Sequence, residues 1–228
     1  MAYNKKRNKP VISRNLIGQF YLNINGGSIK IVNLTCDSKI YTSNVYLITG
    51  TWNAISDVNT LIDVGRDPAV IEKINNASTG VGKHRIEQVI ITHSHYDHTS
   101  LLSQIKKIFN PIVCAFSSSL EGVDIILQHK DNIKIGDRMF EVIHSPGHSS
   151  DSVCLYCEEN GILFSGDTPI MIQSPVGSYE EDFVQALRTI SRKHVRTVYC
   201  GHGPPLLNKC NDIILRSMKN VKMHIKKT

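Results

Sequence analysis

Residues 90–99 read Ile90-Ile91-Thr92-His93-Ser94-His95-Tyr96-Asp97-His98-Thr99 and hold four candidate metal ligands within six positions. The apolar residues that lead into them are typical of a buried strand. Because side chains alternate between the two faces of an extended segment, His93 and His95 are expected to point the same way. Five apolar residues then follow at helical spacing: Leu101, Leu102, Ile105, Ile108 and Phe109. The stretch predicts a strand, a tight turn and a helix with Asp97 at its N-cap, which aim all four ligands at one point.

The length and composition fit one large domain. The chain has 228 residues, of which 41% are hydrophobic and 20% are charged, and this is enough to bury a sizeable core. No apolar run has the length of a transmembrane helix, and no apolar segment suited to a secretory signal follows the basic start. The six cysteines are scattered and mostly lie in apolar runs, which is typical of reduced thiols. These features predict a cytoplasmic protein without a membrane partner.

The basic residues are concentrated at the two ends of the chain. The net charge is +6, but residues 1–10 and residues 211–228 each carry +4, which leaves −2 for the body of the chain. Basic ends of this kind are more often solvated tails than phosphate-binding surfaces. Nucleic acid stays open as a partner, but a small-molecule substrate is favoured.

The rest of the chain alternates short strands with helices. Strands are predicted at 19–24, 28–34, 40–49, 60–65, 86–92, 112–115, 137–144, 152–158, 162–165 and 195–200, with a turn at 25–27. Helices are predicted after Asp67-Pro68, after Asp97, at 117–121, from a capping box at 178–181, and from Asp212. This order predicts an α+β fold, a four-layer αββα sandwich of two mixed β-sheets flanked by helices. Residues 1–17 are expected to form a basic N-terminal tail, and residues 18–228 a single domain.

Three later segments repeat one arrangement, a strand end followed by a glycine-containing loop with one ligand-type residue. These residues are His148, Asp167 and His202. Glycine lets the backbone turn sharply and approach a neighbour closely. Together with the opening stretch they give five imidazoles and two carboxylates, which suffice for two divalent metal ions per chain. Such a donor set suits Zn²⁺ first, with iron or manganese as alternatives.

This set of motifs resembles the metallo-β-lactamase-fold superfamily from about Gly18 to Pro205. The Thr-His-x-His-x-Asp-His pattern at 92–98 is specific, and the Pro-Gly-His, Gly-Asp and Gly-His-Gly segments follow it in order. Ser100 stands where many relatives have glycine, which bears on the loop geometry but removes no ligand. The resemblance implies the αββα sandwich independently of the strand pattern.

The resemblance also implies a role for each ligand. One metal ion would be held by three histidines: His93, His95 and His148. The second would be held by a carboxylate and two histidines: Asp97, His98 and His202. Asp167 would bridge the two ions, and Asp63 matches a position that lies behind the site in the family.

Five other histidines match no motif position: His84, His129, His144, His194 and His224. They are interpreted as surface or packing residues, with support of His148 as an alternative role for His144. Tyr96 either borders the pocket or faces the core. Cys154 and Cys157 stand three positions apart in a predicted strand, so they are expected on opposite faces rather than in one redox or metal site.

The expected reaction is hydrolysis of a small ester, thioester or lactone by hydroxide that two metal ions activate. Asp97 would orient this nucleophile and carry a proton toward the leaving group. The glyoxalase II and lactonase side of the superfamily fits best, because only 34 residues separate Asp167 from His202. Relatives that process nucleic acids insert an extra domain there. Loops at 23–27, 117–128 and 168–177 are expected to select the substrate.

Three alternatives stay open. The same two-metal site could serve a phosphodiesterase or nuclease, with the basic ends on phosphate. A mononuclear iron dioxygenase of sulfur compounds would instead need one iron per chain. A metal-stabilised binding module without catalysis is the least favoured, because two full ligand sets exceed what a structural site needs. The oligomeric state is left open by the sequence.

Overall fold

The computed structural model describes residues 11–14, 19–23, 29–174 and 179–225. Its strands are, in chain order, β1 Val11–Arg14, β2 Gln19–Asn23, β3 Lys30–Asn33, β4 Tyr46–Thr49, β5 Thr60–Ile62, β6 Gln88–Ile91, β7 Ile112–Ala115, β8 Ile125–Ile126, β9 Asn132–Ile135, β10 Arg138–His144, β11 Val153–Cys157, β12 Ile162–Gly166 and β13 Thr197–Cys200. Its helices are α1 Ala69–Asn76, α2 Tyr96–Thr99, α3 Leu102–Phe109, α4 Glu181–Ser191 and α5 Cys210–Ile225.

The strands form two mixed sheets. In the first sheet, β1 to β8 lie in chain order, and they are antiparallel from β1 to β5 and parallel from β5 to β8. The second sheet has the order β13-β12-β11-β10-β9 and is antiparallel except for the β12–β13 pair. Parallel neighbours need a crossover connection. Helices α1, α3 and α4 lie in the crossovers from β5 to β6, from β6 to β7 and from β12 to β13.

Three apolar clusters show how the layers pack. The cluster between the two sheets joins residues such as Ile48 and Ile90 of the first sheet to Phe140 and Leu155 of the second. A second cluster packs α1 and α3 on the outer face of the first sheet, and a third packs α4 and α5 on the outer face of the second. Strands β11 and β12 are covered on both faces, which is why they are buried at every position and mainly apolar. The predicted four-layer αββα sandwich is therefore confirmed.

The two cysteines of β11 follow the same geometry. Cys154 lies in the cluster under α4 and α5, whereas Cys157 lies in the cluster between the sheets. The prediction that they occupy opposite faces is confirmed. All six cysteines lie in the part that the structure describes and are free thiols. The described helices include none that is long and apolar enough to cross a membrane.

Two predicted boundaries fall at the edge of what is described. Strand β1 lies inside the segment predicted as a tail, and it pairs with β2. The division into a tail at 1–17 and a domain at 18–228 otherwise stays a prediction. The predicted turn at 25–27 and Ser178 of the predicted capping box lie outside the described residues. Helix α4 begins at Glu181 with Glu180 as its N-cap, two residues later than a box with Ser178 as the N-cap predicts.

The predicted strand at 40–49 is shorter in the structure. Only Tyr46–Thr49 pair with neighbouring strands. The backbone N–H groups of Ser43 and Asn44 instead donate to Asp97 O (3.2 Å) and Gly201 O (2.6 Å), in loops outside the first sheet's ladder. Residues 40–45 are therefore a connecting segment rather than part of the strand, and Ile40 and Tyr41 at its start are exposed.

Two helix predictions are wrong. Residues 117–121 form bends rather than a helix, because the hydroxyl of Ser117 accepts from the backbone N–H of Ser119 and competes with helical hydrogen bonding. Asp97 is not an N-cap, since α2 begins at Tyr96 with His95 before it. The helix expected after the motif is also split into α2 and α3.

Candidate metal centre

The candidate ligands follow four strand ends at one edge of the sandwich. His93 and His95 come directly after β6, and His148 follows β10. Asp167 and His202 follow β12 and β13. Because β10, β12 and β13 run in the same direction, their carboxyl ends meet at one edge of the second sheet. The fold therefore brings all seven sequence-predicted ligands together.

Three histidine nitrogens form the first group. Nδ1 of His95 lies 3.1 Å from Nε2 of His93 and 2.9 Å from Nε2 of His148. Zinc–nitrogen bonds of about 2.0–2.1 Å in a tetrahedral site place the nitrogens about 3.3 Å apart. His93 is buried, whereas His95 and His148 are exposed. The group therefore has the spacing of a zinc site with one side open to solvent.

The second group consists of Asp97, His98 and His202. Nε2 of His202 lies 3.0 Å from Oδ2 of Asp97, and Nε2 of His98 lies 3.9 Å from the same oxygen. Nε2 of His98 is fully buried and has no hydrogen-bond partner among the described residues. A buried nitrogen without a partner is costly, and a cation between these three side chains would satisfy it.

Asp167 lies between the two groups. Its Oδ2 is 3.4 Å from Nε2 of His148 in the first group and 3.4 Å from Nε2 of His202 in the second. Its Oδ1 is 3.5 Å from Nε2 of His98. One carboxylate thus faces both groups, so the donor set fits two divalent cations that share a ligand.

Asp63 orients His98 from behind. Its Oδ2 accepts a hydrogen bond from Nδ1 of His98 (2.8 Å), and its Oδ1 accepts one from the backbone N–H of Thr92 (2.8 Å). Both carboxylate oxygens also lie within hydrogen-bond distance of the Thr92 hydroxyl. A carboxylate on the far nitrogen fixes the tautomer and the ring plane of a ligating histidine. The structure therefore places Asp63 where the resemblance implied.

Burial and charge set the protonation of the free site. Burial lowers the pKa of His93 to about 4. Burial acts against a charge on His98 as well, but the charge of Asp63 and contact with Asp167 outweigh it and raise the pKa of His98 to about 10. Burial would raise the pKa of Asp167, yet the His202 and His98 rings lower it well below its usual range. A cation that binds at His98 therefore displaces a proton.

A match to the sequence profile of a protein family identifies the family of this chain. The profile of the metallo-beta-lactamase superfamily matches residues 40–121 and 116–202, which include every candidate ligand. The chain belongs to the metallo-beta-lactamase superfamily. The prediction of this family is thereby confirmed.

The proteins that this chain resembles in sequence include two hydrolases. An atrochrysone carboxyl ACP thioesterase from Aspergillus fumigatus is 30% identical over 160 residues, which are 65% of this chain and 48% of that protein. A hydroxyacylglutathione hydrolase from Chromohalobacter salexigens is 29% identical over 115 residues, which are 50% of this chain and 43% of that protein. The chain therefore spans about half the length, or less, of these two curated relatives.

Solved structures of metallo-beta-lactamase proteins share the fold. The B3 metallo-beta-lactamase BLEG-1 has a TM-score of 0.57 and 22% identity, and the match covers 86% of this chain and 99% of that one. A beta-lactamase domain protein from Burkholderia ambifaria has a TM-score of 0.65 and 17% identity, over 94% of this chain and 75% of that one. At this identity the likeness concerns the fold, and the site must carry the functional argument.

Two other residues considered in the sequence analysis, His144 and Tyr96, lie outside the ligand groups. Nε2 of His144 lies 2.8 Å from the carbonyl oxygen of Ser150, and its ring stacks on Phe116. His144 thus contacts the loop that carries His148 rather than the His148 ring, and its role as a support of His148 stays a prediction. Tyr96 is 68% exposed, with the Arg66 guanidinium 5.3 Å from its ring centroid, so it does not face the core.

Three residues at the centre were missed by the sequence analysis. The ring of Tyr41 stacks on His202, with a centroid distance of 5.3 Å, and the charge of Asp97 raises the pKa of this phenol. Asn44 and Asp151 hydrogen-bond to the loops that carry ligands. Asp151 stands three positions after His148, which is the one local signal that could have indicated it. Tyr41 and Asn44 are distant in sequence from the residues they contact and carry no such signal.

Replacing Asp63 by asparagine is expected to weaken zinc binding by about 10- to 100-fold. The neutral amide no longer accepts a charge-assisted hydrogen bond from His98, and an amide N–H turned toward the ring favours the wrong tautomer. The zinc dissociation constants are measured by competition with a chromophoric chelator. Asp57 is a buried aspartate that accepts from the backbone N–H of Ala54 (2.7 Å), and Asp57→Asn serves as the control. Equal zinc affinity in Asp63→Asn and the wild type would contradict the prediction.

Proposed function

We propose that this protein is a metal-dependent hydrolase that cleaves a small ester, thioester or lactone. The observation that carries the proposal is the placement of Asp167 between two ligand groups, 3.4 Å from a histidine of each. A structural metal site needs only one closed ligand set. Two groups that share a carboxylate, with His95 and His148 exposed, instead suit a site that meets a substrate.

The proposed ligands are those of the two groups. His93, His95 and His148 would hold one divalent cation, and Asp97, His98 and His202 would hold the other. Asp167 would contact both, and zinc is the first choice because imidazole and carboxylate donors suit it. The names of the relatives support a thioester among the three substrate classes, since one is a thioesterase and another a hydroxyacylglutathione hydrolase.

The bound cations would supply a water activated near neutral pH and a Lewis acid for the substrate's acyl oxygen. Asp97 is partly exposed within the second group, and its carboxylate would accept a proton from the attacking water and deliver it to the leaving group. Asp63 holds the His98 ring in one orientation while this happens. Tyr41 is 70% exposed and its ring stacks on His202, so it would lie beside a substrate bound at the second group.

Two measurements test the proposal. One is elemental analysis of protein purified without added metal, and the other is an activity assay with a panel of esters, thioesters, lactones and phosphodiesters. We expect two zinc ions per chain and hydrolysis of at least one of the three acyl classes. Chelation is expected to abolish that hydrolysis and added Zn²⁺ to restore it, because the water then regains a pKa lowered from about 15.7 toward about 7.

The other outcomes would each overturn the proposal in a different way. One iron per chain without hydrolysis would favour the mononuclear oxygenase. Cleavage of phosphodiesters alone would favour a nuclease. Two bound ions without turnover of any substrate would favour a binding module.

A further inference from the structure

We propose that Asp151 and Asn44 are positioning residues, and that each serves only one of the two ligand groups. The inference rests on the proposed two-metal centre and deepens it. Neither side chain belongs to the ligand groups. Asp151 hydrogen-bonds to both segments that carry ligands of the first group, whereas Asn44 hydrogen-bonds to the segment that carries His202 of the second group.

Asp151 ties together the loops of the first group. Its Oδ2 accepts a hydrogen bond from the backbone N–H of Ser94 (2.9 Å), the residue between His93 and His95. Its Oδ1 accepts one from the hydroxyl of Ser149, the residue after His148. Hydrogen bonds to a carboxylate are about twice as strong as neutral ones. One carboxylate therefore sets the distance between the two loops that supply all three nitrogens of this group.

Asn44 holds the loop of the second group that carries His202. Its Nδ2 donates to the carbonyl oxygens of Cys200 (2.9 Å) and Gly203 (2.8 Å), which flank His202. Its backbone N–H donates to Gly201 O (2.6 Å). The backbone N–H of the preceding residue, Ser43, donates to Asp97 O (3.2 Å). Ser43 and Asn44 together therefore link helix α2, which carries Asp97, to the loop that carries His202.

The orientation of the Asn44 amide is itself fixed. Its Oδ1 accepts a hydrogen bond from Nδ2 of Asn33 (2.9 Å), so the amide nitrogen must face the two carbonyls. A side chain held in this way has a defined donor direction. Loss of Asn44 should therefore loosen the His202 loop without touching the His93, His95 and His148 loops.

Titration of the metal-free full chain with Zn²⁺ alone, in competition with a chromophoric chelator, tests the inference. Asn44→Ala and Asp151→Ala are each expected to weaken one of the two zinc dissociation constants by about 10- to 100-fold and to leave the other unchanged. The constant that survives in Asn44→Ala should equal the one that remains in His202→Ala. The constant that survives in Asp151→Ala should equal the one that remains in His95→Ala.

Three further variants separate positioning from general loss of structure. Asn59 is a buried asparagine whose Nδ2 also donates to two carbonyls, those of Thr79 (2.9 Å) and His84 (2.9 Å). Asn59→Ala should lower the melting temperature and leave both zinc constants intact. Asp151→Asn keeps an acceptor and should recover most of the affinity. Tyr46→Phe removes only the hydrogen bond from Tyr46 Oη to Cys200 O (2.8 Å), and it should weaken the same constant as Asn44→Ala by a smaller factor, even if Asn44→Ala does not fold.

The result that overturns the inference is equally specific. If either variant weakens both constants alike, or if neither constant changes while the wild type binds two ions, the inference is wrong and the proposed function stands. A wild-type chain that binds fewer than two zinc ions would overturn the proposed function, and this inference with it.

Discussion

Replacing His95 by alanine is expected to abolish hydrolysis and the tight binding of one zinc ion. Nδ1 of His95 lies 3.1 Å from Nε2 of His93 and 2.9 Å from Nε2 of His148, so it is central to the first group. Its removal leaves two nitrogens and the shared carboxylate. Activity should fall below about one-thousandth of the wild type, because the attacking water loses the pKa shift that a second cation provides.

The same substitution should hardly affect folding, since His95 is exposed. Turnover, zinc content and the melting temperature of the metal-free chain are measured together for this reason. His84→Ala is the matched control, because His84 is an exposed histidine that belongs to none of the ligand groups. Full activity with unchanged zinc content in His95→Ala would remove the basis for the proposed centre.

Gly201→Ala is expected to weaken both zinc dissociation constants at once. A Cβ at this position would lie 2.1 Å from Oδ1 of Asp167 and 2.9 Å from Cε1 of His98. Contacts this short cannot persist, so the Asp167 carboxylate must move, and it is the one ligand that faces both groups. We expect a loss of at least about 10-fold in each constant, as for other changes that misplace a ligand. The activity should fall with them.

Gly203→Ala provides the control on the other side of His202. A Cβ there meets no atom within 4 Å, but the backbone has a φ of +75°. Left-handed backbone costs a residue with a Cβ about 1–2 kcal/mol, so the melting temperature should fall while the zinc constants stay the same. If Gly201→Ala and Gly203→Ala had equal effects on zinc binding, Asp167 would not be confined as the structure has it.

The ligands could be predicted from the sequence because each one follows a strand within a few residues. The mainly apolar runs at 152–158 and 162–165 predicted strands, and these became β11 and β12, which are buried at every position. The three-residue spacing of Cys154 and Cys157 within one strand then predicted that they occupy opposite faces. Local sequence patterns of this kind are enough to predict both the fold and the seven candidate ligands.

The contacts that hold the ligand loops could not be predicted in this way. Asn44 and Cys200 are 156 positions apart, and nothing local in the sequence joins them. The segment before β4 was predicted as part of a strand, but the backbone N–H groups of Ser43 and Asn44 donate to helix α2 and to the His202 loop. Asp97 was predicted as an N-cap because its position suits one. Its carboxylate instead lies 3.0 Å from His202, so ligand geometry outweighs capping at this residue.

The two ligand groups draw on both halves of the sandwich. His93 and His95 follow a strand of the first sheet, whereas His148 follows a strand of the second, and the same division separates Asp97 from His202. Each cation would therefore bind residues from both sheets and so join one sheet to the other. A ligand that binds only the folded chain adds about 2.7 kcal/mol to the free energy of unfolding at 100 times its dissociation constant. Metal supply would then govern how long the chain survives proteolysis, as well as whether it turns over substrate.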